Sequence, residues 1–336
     1  MTTKTSSEVR LGATGPTVSR IGLGAMGMSG MYGAADDAES TATIHAALDS
    51  GVNLIDTGDF YGAGHNEMLI GRAIAARPRE QVVLSVKFGA LRGPGGTWGG
   101  VDSRPEALRN FLGYSLQRLG VDYVDIYRPA RLDPNVPIED TVGAIADLIE
   151  AGYVRHIGLS EVGVETIRRA AAVHPISDVQ IEYSLISRGI EAEILPVCRE
   201  LGIGITAYGV LSRGLLSDSI RPGTTFDAKD FRAHSPRFQG ENLDRNLELV
   251  HALGEIARHK GVSVAQLAIA WVLTRGDDIV PVIGARKRTR WAETLGALDI
   301  SLTDDELSVI ESAVPVDRVA GERYATAQMA MLDSER

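Results

Sequence analysis

The chain has almost no cysteine, no excess of basic charge and no long apolar run, and each shortage removes a class of protein. A single cysteine, Cys198, stands among 336 residues, so no internal disulfide can form and no metal site can be built from thiolates alone. Its setting, EAEILPVCRELG, reads as an apolar helical face, where a small buried thiol is expected. The formal charge of −10 argues against nucleic acid or an anionic membrane as partner, since binding phosphates takes a basic surface. Nothing approaches the length of a membrane span, and the polar start MTTKTSSEVR lacks a signal-peptide core. A cytoplasmic protein is expected. No linker, low-complexity segment or change of composition divides the chain, so residues 1–336 are expected to form one domain with a core over about 18–315.

What is present is a rhythm. Short β-branched runs recur at RIGLG (20–24), VNLID (52–56), VVLSVK (82–87), YVDIY (123–127), RHIGLS (155–160), DVQIE (178–182), IGITAY (203–208) and DIVPVIG (278–284). Amphipathic stretches of helical period separate them. DDAESTATIHAALDSG opens on acids suited to a helix N-terminus and stops at Gly51. SRPEALRNFLGYSLQRLG has Ser103 followed by Glu106 at capping-box spacing and ends at Gly120. Strands joined through helices form a parallel sheet, and eight of them close most economically into a (β/α)8 barrel.

Chemistry in such a barrel sits at the C-terminal strand ends, which here carry Gly24, Asp56, Lys87, Tyr127 leading to Ala130, Ser160 with Glu161, Gln180 to Glu182, Tyr208, and Gly284 with Arg286. Gly22-Leu-Gly24-Ala-Met-Gly27 mimics a dinucleotide-binding turn. However, a glycine-rich loop follows it instead of a helix, and the acid Asp56 comes about thirty rather than about twenty residues on. These glycines are expected to line the barrel mouth. Among seven histidines, His45, His156 and His251 sit in helices or early in a strand, and no metal site is expected. His65, near Tyr61, is expected to pack in its loop. Two long loops, GALRGPGGTWGGVDS and LSDSIRPGTTFDAKDFRAHSPRFQG, could shape substrate choice, the first mobile with Trp98 as its apolar contact.

Asp56, Tyr61 and Lys87 form the informative set. A lysine ending an apolar strand needs a partner, and Asp56 is the obvious one. An ammonium beside a tyrosine is expected to lower its pKa, making the phenol a general acid for a developing alkoxide. The hydride would then come from a cofactor.

With NLIDTGDFYG, LSVKFG, GYVRHIGLSE, VQIEYSL, AYGVLSRGLL and VPVIGARK, the chain resembles the aldo-keto reductase superfamily over nearly its whole length. The resemblance implies NADP(H) bound without a Rossmann fold and an Asp-Tyr-Lys-His tetrad whose first three members match Asp56, Tyr61 and Lys87. It places Ser160, Glu161 (for a commoner Asn) and Gln180 at the nicotinamide carboxamide and Tyr208 against the ring. Gly209, Leu211, Arg213, Gly214 and Leu215 fall at the pyrophosphate, and Gly24, Ala25, Met26 and Gly284 also line the cofactor. Arg286, Lys287 and Arg290 suit a 2′-phosphate, and Glu293 and Thr294 the adenine. In DYVDIYRPARLD, Arg131 and Asp133 match the family's His-Arg-x-Asp, but Ala130 takes the histidine's place. The implied activity is reduction of a small-molecule aldehyde or ketone, with an NADP(H)-binding regulatory or sensor protein as the alternative and a metal-dependent sugar isomerase as a distant third. Oligomeric state, homo-oligomers included, stays open.

Overall fold

Every one of the eight apolar runs forms a parallel strand in the computed structural model, which describes residues 8–217, 219–228 and 230–336. The strands are β1 (Gly22–Gly24), β2 (Leu54–Gly58), β3 (Val83–Phe88), β4 (Val124–Pro129), β5 (Val154–Ser160), β6 (Ile176–Glu182), β7 (Gly204–Tyr208) and β8 (Ile279–Gly284). Each pairs with its neighbours in sequence, and β8 closes on β1 with Val282 opposite Gly22. The architecture is the expected (β/α)8 barrel. Strands β3 and β6 are buried at every position, as a parallel sheet covered on both faces requires.

Helices surround the barrel: α1 (Asp37–Asp49), α2 (His65–Ile74), α3 (Pro105–Leu119), α4 (Ile138–Glu150), α5 (Val164–Val173), α6 (Ile194–Glu200), α7 (Gly240–Lys260), α8 (Val264–Leu273), α9 (Arg288–Leu295) and α10 (Asp304–Ala313), with a single turn at Thr326–Met329 in the C-terminal segment. None among the described residues is long and apolar enough to cross a membrane. The acidic start of α1 works as expected, with the Asp36 carboxylate accepting from the Glu39 N–H. The box expected at Ser103 does not form. Arg104 is the N-cap, with no side-chain cap, because the Ser103 N–H donates to Asp133 and its hydroxyl meets Thr141. Capping boxes form instead at Ser263–Gln266 and Thr303–Glu306.

Two antiparallel ribbons lie outside the expected rhythm. Glu8–Arg10 pairs with Thr17–Ser19, and Leu11 and Val18 cluster with Leu54, Val83, Ile126, Val280 and Val282, plugging one barrel end. The loop expected to be mobile after β3 is a ribbon as well, Ala90–Arg92 against Trp98–Val101. Its Trp98 is 43% exposed and lies under the Arg92 guanidinium rather than in an apolar contact.

The barrel interior holds a polar ladder that the sequence reading missed. Arg128, at 0% exposure, sits in register beside Lys87 and forks onto Asp178, with Nη1 2.6 Å from Oδ2 and Nη2 3.2 Å from Oδ1. Thr206 and Ser177 hydroxyls also donate to that carboxylate. A Cβ at Gly158 would lie 2.8 Å from Arg128 Cζ, so only glycine leaves the guanidinium room. Removing one partner of such a pair strands the other charge. Asp178→Ala is therefore expected to cost about 3–5 kcal/mol in denaturant unfolding; a loss near that of an exposed pair, below about 1 kcal/mol, would show the pair to be dispensable.

Candidate active site

Strand β2 delivers Asp56 and strand β3 delivers Lys87 to the same barrel mouth. Lys87 Nζ lies 2.5 Å from Asp56 Oδ1, with both side chains under a tenth exposed. The other carboxylate oxygen accepts from Ser85 Oγ at 2.9 Å and Gln180 Nε2 at 2.8 Å. Ser85 in turn accepts from Arg128 Nη2 at 3.1 Å, which joins the site to the interior ladder. Asp56 therefore has an ammonium and two neutral donors.

Tyr61 reaches this pair through a tight turn. The Asp59 N–H donates to the Lys87 carbonyl, and Gly62, Ala63 and Gly64 then take positive φ of 58°, 52° and 92°. Three left-handed residues in a row fold the chain back and leave Tyr61 buried, its ring centroid 5.2 Å from Lys87 Nζ and edge-on to Phe60 at 4.7 Å. A Cβ at Gly62 would press on Ser29 and His65, so the glycine is required twice over. His65 packs locally, between Ser29 Oγ at 2.9 Å and Asp37 Oδ2 at 3.1 Å.

The acidity of Tyr61 departs from expectation. Burial raises the phenol well above its ordinary value, and Asp56 raises it further. Of the charges around it, Arg131 pulls the other way without outweighing them. Burial also lowers the Lys87 ammonium, against the opposing pull of Asp56. The hydroxyl is thus fully protonated at neutral pH, a donor in reserve.

Around the mouth the structure places the remaining expected residues, with two surprises. Glu161, held at a left-handed φ of 53°, is fully buried. Its carboxylate accepts from the Glu182 N–H, Tyr208 Oη, Arg323 Nη1 and Nη2, and Ser334 Oγ. No oxygen is left for the carboxamide it was expected to meet. The partners come largely from the C-terminal segment, residues 316–336, which also sets the Tyr324 hydroxyl 2.7 Å from Tyr208 and the Asp333 carboxylate on the Gly163 N–H. Burial pushes the Glu161 carboxyl up, but Arg323, Arg131 and Tyr208 outweigh it and hold it at about 2. Arg323, Tyr324 and Ser334 were not foreseen, since they lie in a tail with no periodic signal.

The second surprise is the loop after β7. Ser212 and Arg213 have positive φ of 43° and 55°. Arg213 Nη2 bonds Glu182 Oε2 at 3.0 Å, while the buried Arg213 Nη1 and Ser212 Oγ have no partner among the described residues. Orphaned buried donors beside a left-handed turn are what an anion such as a pyrophosphate would satisfy. Further round, the basic run is mostly engaged. Arg286 Nη1 holds the carbonyls of Tyr32, Gly33 and Ala34, Arg288 pairs with Glu39 at 3.0 Å, and Arg290 pairs with Glu293 at 2.8 Å. Among the described residues Lys287 of this run makes no ion pair. Thr294 is buried and bonds back to the Arg290 carbonyl. In the long stretch after β7, Phe226 packs edge-on to Phe238 and Phe231 on Tyr324, and the Phe231 N–H donates to Met31; its Asp218 and Lys229 lie outside the described residues.

Strand β4 brings Ala130 to the mouth, where its N–H donates to the Phe88 carbonyl at 2.8 Å and its side chain is 3% exposed. Asp133 anchors the following turn through the N–H groups of Ser103 and Asn135.

Loss of Arg323 tests the C-terminal clasp. With its folded carboxyl at about 2 against an ordinary 4.5, Glu161 contributes stability that is full above pH about 4.5 and fades as pH falls towards 2. Arg323→Ala is expected to move the acid-unfolding midpoint up by about half a pH unit or more; an unchanged midpoint would mean the clasp does not hold the fold.

The profile of the Aldo/keto reductase family matches residues 20–315. A probable aldo-keto reductase of Glycine max is 42% identical over 325 residues, covering 96% of this chain and 93% of the relative. A glycerol dehydrogenase from Gluconobacter oxydans superposes with a TM-score of 0.83 at 32% identity, over 92% of this chain and 95% of that one. A thermostable aldo-keto reductase solved with the inhibitor epalrestat gives 0.74 at 28% identity, over 91% and 99%. A barrel closed on itself, its acid and lysine on adjacent strand ends, and these likenesses along nearly the whole length agree: the chain belongs to the aldo/keto reductase family.

Proposed function

We propose that the protein reduces an aldehyde or ketone to the alcohol using NADPH, with Tyr61 as proton donor and Lys87 and Asp56 fixing its surroundings. The observation that carries this reading is the 2.5 Å Lys87–Asp56 pair beside the buried Tyr61 ring. A structural ion pair would need no tyrosine turned onto it through three left-handed residues.

NADPH, when bound, supplies the hydride. Arg213 Nη1 and Ser212 Oγ, both without partners among the described residues, would hold its pyrophosphate together with the backbone of Gly209, Leu211, Gly214 and Leu215. Tyr208 would flank the nicotinamide beside Ser160 and Gln180, and Gly24, Ala25, Met26 and Gly284 would line its approach. Lys287 with Arg286 and Arg290 would meet the 2′-phosphate, with Glu293 and Thr294 near the adenine. The residues of this chain then have separate tasks. The phenol of Tyr61, protonated at neutral pH, gives its proton to the carbonyl oxygen as that oxygen gains charge. An alkoxide is a stronger base than a phenolate, which favours the transfer. The Lys87 ammonium stabilises the tyrosinate left behind, and Asp56 keeps that ammonium charged. A glycerol dehydrogenase among the relatives supports the same exchange of hydride run towards the carbonyl.

One observation favours a second reading, an NADP(H)-binding sensor with little turnover: Ala130 stands where the family has a histidine, which removes a donor to the substrate carbonyl. Losing one such donor costs about 10²–10³ in rate, and the acid remains. Tyr61→Phe separates the two. NADPH oxidation with a panel of aldehydes is expected to fall about 10²–10⁴-fold while NADPH still quenches tryptophan fluorescence; equal rates in the two proteins would contradict the reductase reading. Lys287→Ala is expected to weaken NADPH about tenfold relative to NADH, consistent with loss of one charge-assisted contact, and an unchanged ratio of dissociation constants would remove the basis for NADP preference.

A further inference from the structure

Four guanidiniums crowd the mouth of the barrel, and they are not equally served. Arg213 and Arg237 each pair with Glu182, at 3.0 and 3.2 Å. Arg323 pairs with Glu161 and Glu335, both at 2.6 Å. Arg131 has no carboxylate within ion-pair distance among the described residues. Its Nη1 donates to the carbonyl of its own neighbour Ala130 at 2.6 Å, and its Nη2 reaches the Tyr324 hydroxyl only at 3.5 Å. A partly buried guanidinium left with one carbonyl and one distant hydroxyl has donors to spare.

The position of this charge narrows its use. Arg131 follows directly on the β4 end, and Ala130 beside it contributes only a methyl where an imidazole would otherwise fill the space. Tyr324, which Arg131 touches, bonds the hydroxyl of Tyr208. On the other flank its neighbour Ala130 bonds the Phe88 carbonyl, next to Lys87 on the adjacent strand, and the Arg131 charge is felt at Tyr61 and Lys87 behind burial and Asp56. The guanidinium therefore stands between the proposed proton donor and the aromatic proposed to flank the nicotinamide. That gap is where a carbonyl substrate would sit.

From this arrangement we infer that Arg131 is a substrate-binding residue that selects carbonyl compounds carrying a carboxylate. The inference rests on the reductase reading for the reaction and goes beyond it in naming the substrate class. A planar fork binds a carboxylate through two parallel N–H···O bonds, and charge-assisted bonds of this kind are roughly twice as strong as neutral ones. The substrate's acid supplies the anion that the protein withholds from this one arginine. In the reaction the carbonyl carbon gains the hydride of NADPH and the oxygen gains the Tyr61 proton. The carboxylate leaves unchanged, so a 2-oxo acid would give a 2-hydroxy acid.

The test compares matched substrates: glyoxylate with glycolaldehyde, and 4-carboxybenzaldehyde with benzaldehyde. In NADPH-driven reduction the wild type is expected to favour at least one acid over its neutral partner in kcat/KM. Arg131→Met should lower that ratio tenfold or more, chiefly through KM, and Arg131→Lys should recover part of it. Rates without preference for either acid, or a ratio that Arg131→Met leaves unmoved, would overturn the inference while leaving the reductase reading intact. If no carbonyl compound oxidises NADPH, the reductase reading fails instead. Calorimetric titration of oxamate then decides the inference alone. Binding to the wild type that Arg131→Met loses supports it, and equal binding or none overturns it.

Discussion

The site depends on one buried contact, the Lys87 ammonium against the Asp56 carboxylate at 2.5 Å. Neither charge could remain inside the barrel alone, because the cost of desolvating an ion is recovered only through a close partner and satisfied hydrogen bonds. The barrel meets that condition with a continuous chain of donors and acceptors. Asp56 is completed by Ser85 and Gln180, Ser85 by Arg128, and Arg128 by Asp178, Thr206 and the Leu159 carbonyl. Six of the eight strands (β2 to β7) contribute to this chain, so closing the barrel and assembling the site are one event. A slip of one residue in any of these strands would turn a polar link outward and leave its neighbour unpaired.

The same logic extends to the rim, where the unit is Glu161. A carboxylate at this position is fully buried and needs cations, and the barrel strands do not provide them. The C-terminal segment does, through Arg323, with Ser334 and Tyr208 filling the remaining lone pairs. The tail is thereby part of the wall beside the proposed nicotinamide pocket rather than an appendage. Around it Arg213 and Arg237 share Glu182 and Arg323 takes Glu161 and Glu335, whereas Arg131 has no acid within ion-pair distance among the described residues. The site is thus neutralised where structure requires it and left cationic where a substrate can use it.

Much of this was legible in the chain. The eight runs of β-branched residues became eight strands because continuous apolar runs and helix spacing are local signals, and Asp56 and Lys87 could be paired because both terminate such runs. Tyr61 followed from its place five residues past Asp56. What local patterns could not reveal were pairings distant in sequence. Arg128 and Asp178 are fifty residues apart, and Arg323 meets Glu161 across 162. The lowered phenol pKa expected of Tyr61 also failed to appear. A neighbouring ammonium does not reveal how far burial and a nearby carboxylate push the phenol the other way, and here both raise it. The capping box at Ser103 failed for a similar reason, since Asp133 claimed its N–H from another strand end.

Ala130 lies outside the Lys87–Asp56–Ser85–Arg128 chain, so this arrangement does not depend on the side chain at that position. The central claim is that the chain's own residues assemble a site for delivering a hydride and a proton to a carbonyl. It is tested most directly by a single turnover with NADPH deuterated at the transferable position and an aldehyde substrate. The account predicts deuterium on the carbinol carbon of the product alcohol, seen by NMR, with a slowed transient for the labelled cofactor. Oxidation of the cofactor with no deuterium in the alcohol, or no alcohol formed at all, would contradict it.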